Sequence, residues 1–300
     1  MNHLPLNRSA IVNLKKYSVT ITTAFEPRFG ISGHLFEMIE YFIHLRMVKG
    51  INACILVSDG TTRHEFETAL VDRYDLTGKE MLEIYEHTYF EYKPMTLIAD
   101  TLLVVNGSTR FANATIIANK KFMFRCCVTE DLDNNGWIVL QDDEVYGKPL
   151  TNSVHYKKKI LFDKFKKIPN NGSKVAMFYG KSNSKALTTE QIIDFTKQYN
   201  QFEQFLVLTD LDIDVPSNVE LAKIPVDNLW NRFGTYIYTH PKKPGMIDCS
   251  PRFVAECAFY NKDVILAVSD VDKGLAVRLH DMEHGDVWLR DSDDICTKIQ

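Results

Sequence analysis

Short apolar strands alternate with amphipathic helices over the first quarter of the chain, and this alternation constrains the fold more than any other feature. Residues 18–23 are a β-branched run that predicts a strand. Residues 34–49 carry apolar side chains at helical spacing, and residues 51–57 predict a second strand. Thr61 or Thr62 is suited to cap the helix that follows. Strand, helix, strand and helix in this order are typical of a parallel sheet, so we expect an α/β fold.

The chain of 300 residues is about twice the length of a usual domain, and its pattern restarts after a break at residues 168–172. The βα rhythm on both sides of the break predicts two Rossmann-like domains, residues 1–168 and 169–300, and we expect the last helix to pack back on the first domain. The other predicted elements are strands at 95–106, 114–118, 122–128, 137–140, 174–179, 205–208, 219–224, 235–239 and 264–268, and a helix at 188–199 that Thr189 caps.

Composition excludes several classes of protein. Hydrophobic residues make up 45% of the chain and charged residues 25%, which are globular values and not those of a disordered chain. The net charge is −4, so DNA binding would need a local basic patch. No apolar run reaches the roughly 18 residues of a membrane span, and no signal peptide is visible, so we expect a cytoplasmic protein without membrane contact. The six cysteines include no C-x-x-C pair and predict reduced thiols, with no metal site.

One segment of the C-terminal half carries the strongest chemical signal. A strand that contains Tyr238 leads through a loop to a helix that Ser250 opens, with Pro251 at its first position. The N–H groups and dipole of such a helix start attract anions, and the guanidinium of Arg252 suits phosphate oxygens. Glu256 offers a carboxylate that can accept hydrogen bonds from both hydroxyls of a ribose. The alternative is structural, because Arg252 and Glu256 have the i,i+4 spacing of a helical ion pair.

This segment resembles the donor-binding segment of glycosyltransferases of the GT-B fold. Those enzymes have a Glu-Ala-Met-Ala-x-Gly-x-Pro-Val-like run before a strand, and this chain has Glu-Cys-Ala-Phe-Tyr-Asn-Lys-Asp-Val from Glu256 to Val264. The resemblance implies that Glu256 binds the ribose of the donor. It also implies a basic group after the first strand of the second domain, where Gly180, Lys181 and Lys185 lie.

The resemblance also has implications for the whole chain. It implies two Rossmann-like domains that face a central cleft, as in other enzymes of the GT-B fold. It implies a UDP-sugar donor, UDP-glucose or UDP-arabinose, and no obligatory metal. The first domain would then bind the acceptor.

An inverting glycosyltransferase needs a general base for the acceptor hydroxyl, and three residues of the first half are candidates. His34 follows Gly30 and Gly33, as a His follows a Gly-rich loop in many first domains of GT-B enzymes, and its alternative role is helix capping. Asp100 interrupts an apolar strand and is either the base or a satisfied buried carboxylate. Glu26 is either a base or an ordinary loop acid. A retaining enzyme needs no base at this place, and both outcomes stay open.

A basic stretch near the domain junction is the candidate DNA-binding surface. Lys157, Lys158 and Lys159 lie beside interleaved aromatic residues, and Lys120 and Lys121 precede them in the chain. Such a patch suits contacts with a phosphate backbone, and a solvated linker is the alternative.

The run Cys-Ser-Pro-Arg-Phe-Val-Ala-Glu-Cys-Ala from Cys249 to Ala258 is also similar to glycosyltransferases of T-even-like bacteriophages. Those enzymes put glucose or arabinose onto 5-hydroxymethylcytosine in viral DNA. The resemblance therefore implies a double-stranded DNA partner whose modified base is flipped out of the duplex. Two alternatives remain: a glycosyltransferase with a saccharide or lipid-linked acceptor, and a non-catalytic nucleotide-binding protein with the same two-domain frame.

Overall fold

A computed structural model describes most of the chain, and the described part falls into two compact units. Unit 1 consists of Met1–Lys166 with Asp291–Gln300, and unit 2 consists of Lys167–Arg290. The described residues are 11–23, 33–105, 114–125, 136–141, 151–156, 164–168, 173–182, 185–186, 188–209, 212–223, 226, 228–239, 252–267 and 295–299.

Unit 1 contains an eight-stranded sheet in which every pairing of these strands is parallel. Its strands are β1 (Ile11–Asn13), β2 (Val19–Thr22), β3 (Ala53–Val57), β4 (Thr88–Phe90), β5 (Thr96–Val104), β6 (Thr115–Phe124), β7 (Ile138–Gln141) and β8 (Ser153–His155). They lie in the order β4-β3-β2-β5-β6-β7-β8, and β1 pairs with the first part of β5. Counted from β2, the order begins 3-2-1-4-5, which is that of a doubly wound, Rossmann-like sheet.

Unit 2 contains a five-stranded parallel sheet and a small antiparallel hairpin. Its strands are β9 (Val175–Tyr179), β10 (Lys181–Ser182), β11 (Lys185–Ala186), β12 (Gln204–Leu208), β13 (Val219–Ala222), β14 (Thr235–Thr239) and β15 (Asp263–Ala267). The main sheet has the order β13-β12-β9-β14-β15, and β10 and β11 form the hairpin. Counted from β9, this is again 3-2-1-4-5. The predicted α/β class with parallel sheets is confirmed.

Six α-helices accompany these sheets in the described part of the chain. They are α1 (Gly33–Phe42), α2 (Arg63–Arg73) and α3 (Gly78–Glu86) in unit 1, α4 (Thr189–Gln198) and α5 (Arg252–Phe259) in unit 2, and α6 (Ile295–Ile299), which belongs to unit 1. A π-helical stretch, Ile43–Val48, follows α1, and a 3₁₀ turn, Leu229–Asn231, precedes β14. No helix among the described residues combines the length and the apolar character that crossing a membrane requires.

Local sequence explains where several helices begin. Thr62 caps α2 through a capping box with Glu65, as one of the two predicted caps. Thr188 caps α4 in the same way with Gln191. The predicted cap at Thr189 is therefore wrong by one residue, because the Thr188 side chain is the one that accepts the N–H bond of the third helical residue.

Several further features differ from the sequence-based predictions or were missed by them, including the short strands β4 and β8 and the hairpin β10–β11. The predicted strands at 114–118 and 122–128 overlap one strand, β6, which ends at Phe124, because its parallel pairing with β5 continues through the polar residues between them; residues 126–128 lie outside the described residues. β1 was not predicted, since a strand of three residues gives too little pattern. α3 was not predicted either, although Thr77 and Glu80 form a capping box at its start.

Apolar side chains from the strands form the cores of the two units. In unit 1, Leu56, Leu102, Val104, Met123 and Val139 belong to one buried cluster across four strands. Burying each such side chain stabilises the fold by about 1.5–3 kcal/mol.

The core of unit 2 joins a helix to the sheet. Ile192 of α4 packs with Phe178, Phe205 and Val207 of β9 and β12. Cys54, Cys257 and Cys296 are all buried.

A Glu80→Gln substitution should flatten part of the acid dependence of stability. Lys164 Nζ lies 2.6 Å from Glu80 Oε1, and this hydrogen bond, with the cap at Thr77, lowers the pKa of Glu80 to about 2. The contribution to stability is therefore present above the unfolded pKa of about 4.3 and is lost as the pH falls towards 2. Because both side chains are partly exposed, we expect a loss of at most about 1 kcal/mol. Urea unfolding at pH 7 and pH 3 should show a smaller loss in Glu80→Gln than in wild type, while Glu203→Gln, at an exposed residue, should behave as wild type.

Candidate functional site

The order of the strands in unit 2 reverses between β9 and β14. From β9 the chain adds β12 and β13 on one side, and then it crosses to add β14 and β15 on the other. In open α/β sheets such a reversal leaves a crevice at the carboxyl ends of the two strands, because their connections run to opposite faces. The carboxyl ends of β9 and β14 therefore define the candidate site of unit 2.

The pairing of β9 and β14 agrees with a crevice at this edge. Their register covers Thr235 with Ala176 and Tyr236 with Met177, near the amino ends, whereas β14 pairs with β15 over five residues. Gly180 follows β9 at this edge and donates its N–H to the carbonyl of Leu208 at 3.0 Å. A Cβ at Gly180 would lie 2.6 Å from Val207 Cγ1, so the close approach of the chain to β12 requires glycine.

Aromatic packing holds the first described turn of α5 beside these two strands. The ring of Phe253 lies 5.5 Å from that of Tyr179, at the end of β9, and 4.9 Å from that of Tyr236 on β14. It also stacks on Trp230 at 4.9 Å. Arg252 precedes Phe253, so the side chains at the start of α5 lie near the edge where β9 ends.

Arg252 and Glu256 form a buried ion pair on α5. Arg252 Nε donates to Glu256 Oε1 at 2.5 Å, and the side chains are only 10% and 2% exposed. The i,i+4 pairing expected as the structural alternative is therefore present, in a buried setting. Because the two charges neutralise each other, this pair adds no net positive charge for a diphosphate.

Three of the remaining predicted donor residues lie on described strands of unit 2, and two do not. Tyr238 lies on β14 and is 6% exposed. Lys181 and Lys185 lie on the hairpin β10–β11, where Lys181 pairs with Ala186 and Ser182 with Lys185. This hairpin directly follows Gly180, so the backbone at both lysines lies next to the carboxyl end of β9. Ser250 and Pro251 lie outside the described residues.

The predicted general bases are not brought together within the described part of unit 1. His34 lies in the first turn of α1, and its Nδ1 is 3.4 Å from Glu37 Oε2. Asp100 lies in the interior of β5, four residues before the strand ends, and accepts a hydrogen bond from Asn119 Nδ2 at 2.6 Å. Four residues of a strand span about 13 Å, so Asp100 is well removed from the carboxyl end. Glu26 lies outside the described residues.

The predicted DNA-binding lysines also separate. Lys120 and Lys121 are consecutive on β6, and neighbouring residues of a strand face opposite sides of the sheet. Lys121 Nζ lies 5.3 Å from the centre of the Trp137 ring, in a cation–π contact. The two lysines therefore do not share one surface. Lys157, Lys158 and Lys159 lie outside the described residues.

A polar cluster at the carboxyl ends of β2 and β3 was missed by sequence reasoning. Thr22 Oγ1 lies 3.1 Å from Ser58 Oγ, so the two strand ends are in contact. Asp59 and Thr23 are 0% exposed and Thr61 is 5% exposed. The signal in the sequence was a carboxylate two residues after an apolar strand, where ligands of α/β sheets bind.

Three potential metal ligands lie together elsewhere in unit 1. One ligand atom each of Glu83, Glu86 and His87 falls within 4.8 Å of the others. Arg46 already contacts two of them, with Nε 2.6 Å from Glu83 Oε1 and a terminal nitrogen 2.6 Å from His87 Nε2. A guanidinium in this position repels a cation, so the group is an ion-pair network. Burial, followed by the charge of Arg46, lowers the pKa of His87.

No protein-family model matches this chain, and no curated protein is significantly similar to it in sequence.

Proposed function

We propose that this chain is a glycosyltransferase that takes a sugar from UDP-glucose or UDP-arabinose, bound at the carboxyl edge of the unit 2 sheet. The observation that carries the proposal is the reversal of strand order between β9 and β14, with Gly180 and the start of α5 beside it. In this proposal the two Rossmann-like units form an enzyme of the GT-B fold, and unit 1 binds the acceptor.

The proposed donor contacts divide between two elements. Glu256 accepts hydrogen bonds from the ribose, and Arg252 orients that carboxylate through their ion pair. Because this pair is neutral, the positive charge for the leaving diphosphate comes from Lys181 and Lys185 on the hairpin, together with backbone N–H groups near Gly180. Transfer then proceeds without an obligatory metal.

The proposed acceptor is 5-hydroxymethylcytosine in double-stranded DNA. Support for it comes from the resemblance of the segment around Ser250 and Glu256 to phage enzymes and from the basic stretch Lys157, Lys158 and Lys159. A duplex acceptor requires the modified base to leave the stack, since the sugar is added to a group on the base.

Transfer of radiolabelled sugar tests this function directly. The purified chain is incubated with each UDP-sugar and with hydroxymethylated DNA, unmodified DNA or a saccharide mixture. We expect label on hydroxymethylated DNA alone, and a higher unfolding temperature with UDP-sugar present. Label on the saccharide alone would move the acceptor to the alternative class. A UDP-dependent shift without any transfer would favour a non-catalytic nucleotide-binding protein, and no shift at all would overturn the donor site.

Replacing Lys157, Lys158 and Lys159 by glutamine should weaken binding to duplex DNA and reduce its salt dependence. Each phosphate contact contributes about 0.9 to the slope of log K against log salt concentration, so three contacts lower the slope by up to about 2.7. Fluorescence anisotropy at salt concentrations from roughly 50 to 200 mM measures this change, because the affinity of such contacts falls steeply over that range.

The matched control replaces Lys79, Lys197 and Lys223, which are exposed, by glutamine and so removes the same charge. Its slope should stay near the wild-type value. Equal slopes for the two triple variants would remove the stretch at 157–159 from the DNA interface.

A further inference from the structure

The carboxyl ends of β2 and β3 hold buried polar atoms that no described residue satisfies. Thr23 Oγ1, Asp59 Oδ2 and Thr61 Oγ1 are buried and have no hydrogen-bond partner among the described residues. Burying a carboxylate oxygen or a hydroxyl without a partner is costly, and native proteins keep few such groups. Three of them at two adjacent strand ends therefore call for an explanation beyond packing.

The remaining polar groups of this cluster are used in holding it together. Thr22 Oγ1 donates to the carbonyl of Leu56 at 2.8 Å, and Ser58 Oγ donates to the carbonyl of Thr23 at 3.5 Å. Asp59 Oδ1 accepts the N–H of Thr61 at 3.0 Å. This last contact fixes the Asp59 carboxylate and leaves Oδ2 as its second acceptor.

The backbone keeps the cluster at the edge of the sheet. Gly60 has a φ of 92°, in the left-handed region that favours glycine, and turns the chain directly after Asp59. Val105, directly after β5, donates its N–H to the carbonyl of Thr22 at 3.0 Å. Asp59 and Thr23 therefore lie beside the reversal of strand order in unit 1, which falls between β2 and β5.

Position and chemistry together select a class of ligand. Asp59 follows the second strand of the doubly wound order, and a carboxylate at this place in Rossmann-like sheets accepts hydrogen bonds from ribose hydroxyls. Oδ2 of an ionised Asp59 only accepts hydrogen bonds, whereas the hydroxyls of Thr23 and Thr61 both donate and accept. A pair of neighbouring hydroxyl groups offers donors and acceptors to match.

We propose that Asp59, Thr23 and Thr61 form a binding subsite in unit 1 for a vicinal diol, the paired hydroxyls of a ribosyl or hexosyl group. This subsite is separate from the proposed donor site, which lies in unit 2, and it does not depend on the glycosyltransferase proposal. The ribosyl source is a nucleoside and the hexosyl source is a free sugar, and both present the same chemistry to Asp59.

Calorimetric titration of the full chain tests the subsite. The probes are adenosine and uridine, each against its 2′-deoxy counterpart, and glucose, each titrated into the wild type and into unit 1 variants that leave the unit 2 site unchanged. We expect at least one probe to bind. For a nucleoside, removing the 2′-hydroxyl should weaken binding about 10- to 100-fold, as expected for loss of a hydrogen bond to a charged group.

Asp59→Asn keeps the shape of the side chain and the acceptor for Thr61, but it removes the charge at Oδ2. If a nucleoside binds, this variant should bind it and its 2′-deoxy counterpart about equally well. If glucose binds, the variant should bind it about 10- to 100-fold more weakly than the wild type does. Asp72→Asn, an exposed change on α2, should leave binding unaltered. Affinity for UDP measured separately reports on the donor site, so a failure there is distinguished from a failure here.

Thr23→Val provides a second variant with the same prediction. Because Thr23 Oγ1 has no partner among the described residues, replacing it removes the cost of burying this hydroxyl in the free protein. The unfolding temperature should therefore stay equal or rise. Weaker probe binding with unchanged or higher stability supports a ligand subsite. The proposal is overturned if no probe binds at millimolar concentration, or if both variants bind every probe as the wild type does.

Discussion

A Glu256→Leu variant is expected to unfold with a free energy about 3–5 kcal/mol below that of the wild type. Glu256 is 1% exposed and accepts a hydrogen bond from Arg252 Nε. Removing the carboxylate takes this counterion from a largely buried guanidinium, so the desolvation of that charge is less well offset. Urea denaturation followed by circular dichroism measures the loss.

Two controls distinguish the effect of burial on this ion pair from the effect of ion pairing itself. Asp194→Leu breaks an exposed pair with Lys197, whose side chains are 79% and 73% exposed, and should change stability by less than about 1 kcal/mol. The double variant Arg252→Met with Glu256→Leu should recover most of the loss, because an apolar pair has no charge to desolvate. A Glu256→Leu protein as stable as Asp194→Leu would contradict the buried ion pair.

The double variant also decides between the two roles considered for this pair. If Glu256 binds the ribose of the donor, the refolded double variant should bind UDP-glucose at least about tenfold more weakly than the wild type. If its affinity equals that of the wild type, the pair is structural and the donor assignment of Arg252 and Glu256 is wrong.

Gly234→Ala should destabilise unit 2 by about 3 kcal/mol or more, because the new methyl group overlaps backbone atoms. A Cβ at Gly234 would overlap the carbonyl oxygen of Ser173, which is main chain and has no rotamer to change. Gly234 also cannot move away easily: its N–H donates to Val175 and its carbonyl accepts from Asp263, each at 3.0 Å. These bonds connect the starts of β9, β14 and β15.

Gly78→Ala is the matched control for this prediction. Gly78 is the first residue of α3, and a Cβ there would meet no atom within 4 Å. Alanine favours a helix over glycine, so this variant should be as stable as the wild type or up to about 1 kcal/mol more stable. Similar urea midpoints for Gly234→Ala and Gly78→Ala would contradict the close approach at Ser173.

The predictable part of this fold rests on patterns that extend over a few residues. The strand at Val19–Thr22 and the helix start at Thr62 follow from β-branched residues and from capping chemistry. The error at Thr189 has the same scale, since two adjacent threonines offer equivalent caps and only the backbone conformation selects Thr188. Patterns of this kind predicted the α/β class and most of the strands.

The candidate sites were less predictable because they depend on contacts between distant segments. Nothing local to Asp59 indicates burial, and its setting requires β3 to lie inside the sheet between β4 and β2. Lys120 and Lys121 look like one basic patch in the sequence, but the strand they share turns neighbouring side chains to opposite faces.

The sequence by itself determined the types of the elements, the βα rhythm in both halves and the i,i+4 spacing of Arg252 and Glu256. These features depend on the backbone preferences of neighbouring residues and on the spacing of their apolar and charged side chains along the chain. Only the tertiary structure decided the strand order 3-2-1-4-5 within the main sheet of each unit, the burial of that ion pair and the Asp59 oxygen that has no hydrogen-bond partner in the described part of the chain. Strand order is selected by the packing of all strands and helices together. It therefore brings polar residues that are far apart in sequence to the same sheet edge, at the ends of β2, β3, β9 and β14.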